Sequence, residues 1–467
     1  MHHEILQYIR SIVGPENLLT SREELLCHGM DAGSASALPI GVALPQKTEQ
    51  ISEILKLANR YDCPITPRGA GSGMTGGCVP IEGGLVLSLA KMNQILEIDA
   101  DNLTCVVEPG VITGELQEEL RKQGLMYPPD PASLKFCSIG GNAAECAGGP
   151  AAVKYGVTRD YIMGLEVVLP SGEIITTGAR TEKSVAGYDL THLFIGSEGT
   201  LGIFTKLTLR LLPLPPARTT FLLLFDTLTD AAAFVSLIMK AGFLPATIEY
   251  MDQTAIGVVR HHLTDLLTSD TLALLLIEFD GSVIETREQQ DTFSDFLLRQ
   301  NIVFTRADSP EEVARLWKAR RILSPSVFSL KPHKISEDVV VPRSKIPELV
   351  HYCEKLAHEL DIIILTFGHA GDGNIHVNIM LDKADPTEHQ NGLLARERIF
   401  QHVVSLQGSI SGEHGIGLSK SKYLSLELNE ATISLMLKIK KLFDPNNILN
   451  PGKIFPSQPD YSKRPKT

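Results

Sequence analysis

Cysteine is scarce in this chain and follows no pattern. Seven residues, Cys27, Cys63, Cys78, Cys105, Cys137, Cys146 and Cys353, are scattered over 467 positions with no C-x-x-C among them. An odd, dispersed set excludes a disulfide framework, a zinc ribbon and a self-contained iron–sulfur site, and it points to a reducing, cytoplasmic setting. A strongly basic block is also missing. With 43 Lys and Arg against 55 Asp and Glu, the formal charge is -12, which excludes nucleic acid and anionic membrane as natural partners. Long apolar runs are absent too. The longest, such as "LALLLI" from Leu272, are the size of a strand and far short of the ~20 residues of a membrane span. The N-terminus carries no signal-peptide core: Ile5, Ile9, Ile12 and Val13 fall on one helical face, as in a packing helix. Neither an internal repeat nor a low-complexity tract interrupts the chain, and the tail "SQPDYSKRPKT" reads as frayed.

What is present is α/β patterning at multi-domain length. From Val42, strand "GVALP" leads into helix "TEQISEILKLANR", with Thr48 as its N-cap, and then into strand "PIT". Strand "TCVVEPG", helix "TGELQEELRKQG" closed by Gly124, the hairpin "LEVVLPSGEIITTG" turning at Pro170-Ser171-Gly172, and strand "IFTKLTLRL" follow. "PLPPAR" reads as a stiff joint. Beyond it, strands "TFLLLF", "ATIEYM", "LALLLIEFDG" and "IVFTRAD" with helices "LTDAAAFVSLIMKAG" and "TREQQDTFSDFLLRQ" give a ferredoxin-like β-α-β-β-α-β order, with one helical insertion around "AIGVVRHHL". A further helix starts at Ser309-Pro310-Glu311-Glu312, which combines N-cap, first-turn proline and capping-box glutamate.

Gly71, Gly73 and Gly76 spell G-x-G-x-x-G within "ITPRGAGSGMTGG". A dinucleotide fingerprint of that form must open a helix. Here Pro80, Gly83 and Gly84 forbid one, and the next element is a strand. The loop is better suited to turning several backbone N–H groups toward one anion. A glycine- and alanine-rich, almost irregular stretch from Tyr127 to Val157 and the turn "FIGSEGTLGIFT" add two more backbone-rich segments, as a long, extended cofactor requires.

"PRGAGSGMTGG", "YPPDPAS", "SIGGNAAECAGG", "GYDLTHLFIGSEGTLG", "GHAGDGNIH" and "SGEHGIG" together resemble the FAD-linked 2-hydroxy acid dehydrogenases, a family that includes the flavin-bearing component of glycolate oxidase, D-lactate dehydrogenases and D-2-hydroxyglutarate dehydrogenases. The resemblance runs from about Val42 to Phe455. It implies an α+β protein: a two-subdomain FAD-binding domain of the vanillyl-alcohol-oxidase (PCMH) type over 1–212, a ferredoxin-like substrate (cap) domain over 213–410, and a C-terminal segment over 411–457 that returns to the flavin domain. It further implies that Arg68, Gly69, Ala70, Gly71, Ser72, Gly73, Thr75 and Gly76 hold the pyrophosphate of a non-covalent FAD. Pro129, Asp130, Ser133, Ser138, Gly141, Asn142, Gly148 and Gly149 would line the flavin, with Glu198, Gly199, Ile203 and Asn450 completing the cofactor contacts.

Two imidazoles and a carboxylate, His369, His376 and Glu413, make an N,N,O set suited to zinc, manganese or iron as a Lewis acid. Spacing alone does not distinguish such a set from structural histidines. The resemblance does, because relatives bind a divalent metal through the matching residues; zinc is the expected ion here, with manganese or iron as alternatives. Alternation over Ile375 to Met380 puts Asn378 on the face of His376. For oxidation of a 2-hydroxy acid, His414 is the expected general base. Trp317-Lys318-Ala319-Arg320 resembles the family's W-x-x-R, which makes Arg320 the carboxylate clamp. Ser324 lies one turn on, where some relatives have threonine, and Lys334 is a second cation, with Lys331 as its alternative. Arg321 is expected to face elsewhere, and His28, His192, His261, His262, His333, His351 and His358 to be structural.

The implied activity is oxidation of D-lactate or glycolate, alternatively of D-2-hydroxyglutarate. Electrons would leave through a partner, an iron–sulfur subunit or an electron-transfer flavoprotein, with a homodimer or a hetero-complex as the assembly. Two rival readings are a metal-dependent hydrolase, which leaves the glycine segments unexplained, and a non-catalytic flavin subunit, which leaves the intact histidine cluster unexplained.

Overall fold

The computed structural model describes residues 2–456; the tail from Ser457, read above as frayed, lies outside the described residues. The chain divides into two compact units. Among the described residues, one comprises 2–148, Val157–Leu214 and 413–456; the other comprises Gly149–Gly156 and Pro215–Gly412.

The first unit holds the two subdomains expected of a flavin domain. In one, a four-stranded sheet runs in the order Leu18–Leu19, Val42–Ala43, Leu85–Ser88, Ile65–Arg68. The first pair is antiparallel and the others parallel. Its core takes Ile5, Ile9 and Val13 from helix His2–Val13 and Ile51, Ile54, Leu55 and Ala58 from helix Thr48–Tyr61, the faces that the 3.6-residue periodicity marks. Thr48 is the first helical residue, not the cap; its hydroxyl instead donates to Glu166 Oε1 at 2.8 Å. The other subdomain is a five-stranded antiparallel sheet in the order Ile95–Asp99, Thr104–Val107, Ile203–Arg210, Ile162–Val168, Ile174–Gly178. The C-terminal segment rejoins this unit, as expected. The Ile65 amide donates to Ile448 O at 2.8 Å and the Asn450 amide to Ile65 O at 2.7 Å.

The stretch from Tyr127 to Val157 is less irregular than its composition suggests. It contains helices Ile139–Glu145 and Ala152–Tyr155. Ser138 starts the first by accepting from the Gly141 amide at 3.3 Å, and that cap outweighs the low helix propensity of Gly140 and Gly141.

The second unit is built on strands β1 (Ala217–Phe225), β2 (Thr247–Asp252), β3 (Ala273–Gly281), β4 (Val303–Ala307), β5 (His333–Val340), β6 (Ile363–His369) and β7 (Asn374–Leu381). Its helices are α1 (Leu228–Lys240), α2 (Gln253–Val259), α3 (Val283–Arg299), α4 (Pro310–Ser326), α5 (Ile346–Leu360) and α6 (Pro386–Ser405). The sheet order is β4-β1-β3-β2-β6-β7-β5, antiparallel throughout. Its first four strands reproduce the expected ferredoxin-like order, with α2 as the insertion. The last three strands extend the sheet beyond that motif.

Alternation assigns the two faces of the sheet. One packs aromatic and aliphatic residues against α1, α3, α5 and α6. There Phe293 is fully buried, with ring centroids 5.1, 5.0 and 5.0 Å from Phe221, Phe243 and Phe279. The other face packs Leu222, Leu274, Leu276 and Met251 against Leu316, Ala319 and Leu323 of α4 and against α2. Segment Gly149–Gly156 is held on this unit by buried Asp280, which accepts from Lys154 Nζ at 2.5 Å and from the Tyr155 hydroxyl at 2.9 Å. Phe293→Ala is expected to cost about 3–5 kcal/mol, read as a lowered urea midpoint of the transition that reports on this unit.

Candidate functional site

In the first unit a cleft is lined by Arg68 to Met74, Ser133, Ser138, Gly141, Asn142, Glu198, Gly199 and Ile203, so most residues expected to touch FAD share one surface. The glycine loop runs from strand Ile65–Arg68 to strand Leu85–Ser88 without an intervening helix, so it is not a dinucleotide turn. Among the described residues, the amides of Ala70, Gly71, Ser72 and Gly73 donate to no protein acceptor. Four amides presented together at a cleft fit a phosphate or pyrophosphate.

Several of the expected cofactor residues act on the loop from behind. The Arg68 guanidinium donates to Met30 O at 2.7 Å and Cys78 Sγ at 3.2 Å, and its Nη2 would lie 2.0 Å from a Cβ at Gly71, whose φ is +74°. The Gly76 amide is held by Asp31 Oδ2 at 2.7 Å and the Thr75 hydroxyl donates to His414 O at 3.0 Å. Asn450 Nδ2 donates to both Gly77 O (2.9 Å) and Glu198 O (2.7 Å), tying the glycine loop to the "GSEG" turn. Glu198, at φ +50°, accepts the Ile416 and Gly417 amides at 2.7 Å each. Burial raises its carboxyl above the usual range despite those amides and nearby Lys453, and burial also pushes the Lys453 ammonium down to about 8. Pro129 O accepts from Gln117 Nε2 at 2.9 Å, and Asp130 follows it outside the cleft lining. Gly148 approaches Glu413, whose Oε2 would lie 3.2 Å from a Cβ there, whereas Gly149 falls in the other unit. Glu413 and His414 reach the cleft wall themselves, with His414 Nε2 3.9 Å from Glu413 Oε1. Neither appeared among the expected cofactor contacts.

The second unit gathers the remaining expected residues on one face of its sheet. Cross-strand partners share a face: Glu249 opposes His369, His376 opposes Phe367 and Asp338, and Asn378 opposes Leu365 and Ser336. His369 and His376 stand edge to face with ring centroids 5.1 Å apart. His369 is engaged through Nδ1 by Glu249 Oε1 at 2.5 Å, so Nε2 is the nitrogen with which it would ligate a metal, as the carboxylate–histidine arrangement of metal sites requires. Asn378 is 1% exposed; its Oδ1 accepts from Ser336 Oγ at 3.0 Å while its Nδ2 donor has no partner among the described residues, as in a site that receives a polar ligand.

Helix α4 lies over this face, tied once per turn. Trp317 Nε1 donates to Glu278 at 3.0 Å, Arg320 Nε to Glu249 at 2.5 Å, and Ser324 Oγ accepts from Lys334 Nζ at 3.1 Å. The Arg320 guanidinium also sits 4.9 Å over the Phe367 ring. Burial lowers the Lys334 ammonium. Lys331 pairs with Glu388 at 2.6 Å, so Lys334 is the cation that joins Ser324; Arg321 is exposed, as expected.

Glu249, which contacts both His369 and Arg320, is a residue of this face that sequence reasoning missed. It is fully buried. Burial raises its carboxyl, but Arg320 and His369 beside it outweigh that and hold it below the usual range. The available signal was a single acid inside the apolar strand "ATIEYM".

Comparison with known proteins matches residues 214–454 to the family described as "FAD linked oxidases, C-terminal domain" and residues 39–178 to "FAD binding domain". The chain is 43% identical over 454 residues to a Bacillus subtilis protein named glycolate oxidase subunit GlcD, covering 97% of both chains. It is 37% identical to an Anaerostipes hadrus D-lactate dehydrogenase, covering 95% of both. Among solved structures, p-cresol methylhydroxylase superposes with a TM-score of 0.82 at 17% identity, over 97% of this chain and 96% of that one, and a 4-ethylphenol oxidase with 0.78 at 21%, over 97% of each. These last two carry the fold alone. No helix among the described residues is long and apolar enough to cross a membrane.

Forcing a side chain into the left-handed backbone of Gly71 costs about 1–2 kcal/mol. Gly71→Ala is therefore expected to weaken FAD retention roughly tenfold, read from flavin absorbance per chain after dilution; wild-type retention would remove the loop from the flavin site.

Proposed function

Because the chain belongs to the family of FAD-linked oxidases, an oxidoreductase family that includes glycolate oxidase subunits and D-lactate dehydrogenases, we propose that it oxidises a small D-2-hydroxy acid, D-lactate or glycolate, to the 2-oxo acid. The observation that carries this reading is a polar sheet face combining a paired-histidine centre with two cations, Arg320 and Lys334. A 2-hydroxy acid offers one hydroxyl and one carboxylate to such a set.

His369, His376 and Glu413 would hold a divalent metal, zinc by preference, which would supply the acidity that the substrate hydroxyl needs, and bound FAD would supply a two-electron acceptor for the α-hydrogen. Assigning Glu413 as the third ligand rests on the family motif and on chain connectivity. Its neighbour Gly412 is anchored by its amide to Asp338 Oδ2 at 2.8 Å, and Asp338 is the cross-strand partner of His376. Arg320 grips the substrate carboxylate through its Nη groups, since Nε is engaged by Glu249. Lys334, lowered by burial and steadied by Ser324, adds the second cation, and the Asn378 Nδ2 donor orients the substrate. His414, on the wall of the flavin cleft, takes the hydroxyl proton. The net reaction removes one proton to His414 and one hydride to the cofactor. The seven free cysteines suit a reducing cytoplasm, where we place the enzyme, with an iron–sulfur subunit or an electron-transfer flavoprotein taking the electrons onward.

An anaerobic absorbance scan of the purified, metal-replete chain with glycolate, D-lactate, L-lactate and D-2-hydroxyglutarate in turn tests the proposal. Glycolate or D-lactate is expected to bleach the flavin band fastest. Bleaching by D-2-hydroxyglutarate alone would move the substrate to a dicarboxylate, and a yellow protein bleached by none would overturn the substrate class. Chelation of the metal is expected to slow bleaching without releasing FAD. His414→Ala should abolish flavin reduction while FAD stays bound, and reduction at the wild-type rate would remove His414 as base. Arg320→Ala should raise KM for the acid more than it lowers kcat; an unchanged KM for every acid tested would remove the clamp.

A further inference from the structure

One carboxylate serves two functional side chains at once. Glu249 Oε1 meets His369 Nδ1 and Glu249 Oε2 meets Arg320 Nε, both at 2.5 Å. The acid has no exposed surface, and it projects from the centre of the sheet, on β2 between β3 and β6. Its backbone is fixed by ladders on both sides, Leu276 on one and His369 on the other. We propose that Glu249 is a positioning residue that couples metal binding to substrate binding, by setting the tautomer and ring orientation of His369 and the fork direction of Arg320 with one side chain. The inference rests on the metal and carboxylate roles given to those two residues above.

The chemistry of the bridge makes both duties necessary. An ionised carboxylate only accepts, so the imidazole must present Nδ1–H to it, which leaves Nε2 as the ligating nitrogen and makes that nitrogen a stronger donor to a cation. The same carboxylate takes Nε–H of the guanidinium and leaves the two Nη groups as the outward pair, the geometry for a bidentate carboxylate contact. The Phe367 ring beneath the guanidinium and the Ala319 and Leu323 packing of α4 keep the arginine from choosing another rotamer. A glutamine at this position cannot do both. With its oxygen toward Arg320, its NH2 faces Nδ1 and imposes the tautomer protonated on Nε2, which cannot ligate. With its oxygen toward His369, its NH2 opposes the Arg320 donor.

The test uses the full FAD-loaded chain stripped of divalent metal and titrated with Zn2+ against a chromophoric chelator, in wild type, Glu249→Gln, Glu249→Asp and Arg320→Gln. Flavin per chain and the thermal midpoint are recorded as folding controls. Glu249→Gln is expected to lose about 10–100-fold in Zn2+ affinity and to raise KM for the acid, with flavin content retained. Glu249→Asp, which keeps the charge but not the reach, should recover part of one property and not both. Zn2+ affinity and KM both at wild-type values in Glu249→Gln would overturn the proposal. If Glu249→Gln does not fold, Arg320→Gln decides. Under the proposal its Zn2+ affinity changes several-fold although Arg320 is no metal ligand; an unchanged affinity refutes the coupling. A wild-type chain that binds no Zn2+ would instead refute the metal reading on which the proposal stands, an outcome distinguishable because it appears before any variant is made.

Discussion

A carboxylate with no exposed surface is tolerable only where cations or donors meet both of its oxygens, and the arrangement of the second unit follows from that constraint at Glu249. Arg320 must come down from α4 and His369 must turn in from β6, or the charge is stranded. Glu278 on the neighbouring strand repeats the problem with a different solution: Trp317 Nε1, Arg218 and the Thr220 hydroxyl supply its donors at 3.0, 3.0 and 3.1 Å. The two acids therefore fix successive turns of one helix, and the hydrophobic contacts of Leu316, Ala319 and Leu323 fill the space that the polar contacts define. Packing supplies the burial, and the buried acids supply the register.

The first unit meets a similar demand with an amide. The glycine loop and the "GSEG" turn are remote in sequence, and both present backbone carbonyls to the interior. Asn450 satisfies one from each with a single NH2 group, and its own oxygen accepts from Lys453 Nζ at 3.1 Å. Lys453 in turn donates to Val79 O at 2.6 Å, just past the loop. A flexible loop whose outward amides must stay unpaired can hold its shape only if its other groups are tied from behind. Arg68, Asp31, Thr75 and Asn450 do that tying. The division of labour explains why the residues of the phosphate cradle are glycine, alanine and serine, while the residues that make it rigid carry charged, hydroxyl or amide side chains engaged with the protein.

Much of this was legible in the chain because it depends on local rules. Proline and glycine after Gly77 ruled out a helix, and no helix forms there. Two-residue alternation put His376 and Asn378 on one face, and the capping box at Ser309 and Glu312 marked the start of α4. The ferredoxin-like order followed from the succession of elements. What stayed hidden depends on partners far apart in sequence. Nothing in the local pattern says that β5, β6 and β7 extend the same sheet, since strand pairing is non-local. Segment Gly149–Gly156 belongs with the second unit because Asp280, over a hundred positions away, needs Lys154 and Tyr155. The helix after Ser138 was obscured by its glycines, whose propensity a cap and tertiary contacts override. Glu249 was the most informative omission. Periodicity scores an acid in an apolar strand as noise, yet a charge at a position that must be buried is costly unless it has a task.

The same physics separates the roles of the three polar ties on α4. Trp317 and Glu278 form a neutral-to-charged contact whose loss leaves Arg218 and Thr220 still on the acid, so it fixes the helix without being indispensable to the charge. Arg320 and Glu249 form a tie with one substitute only, His369, so changing either partner shifts the other. Ser324 and Lys334 form the loosest tie, a hydroxyl accepting from a lysine that burial has already made easier to neutralise. A methyl added to the carbon that bears that hydroxyl, as in Ser324→Thr, would restrict its rotation and stiffen the lysine. Tolerance of the site to change therefore decreases from both ends of the helix toward its middle turn, where one buried carboxylate has the fewest alternatives.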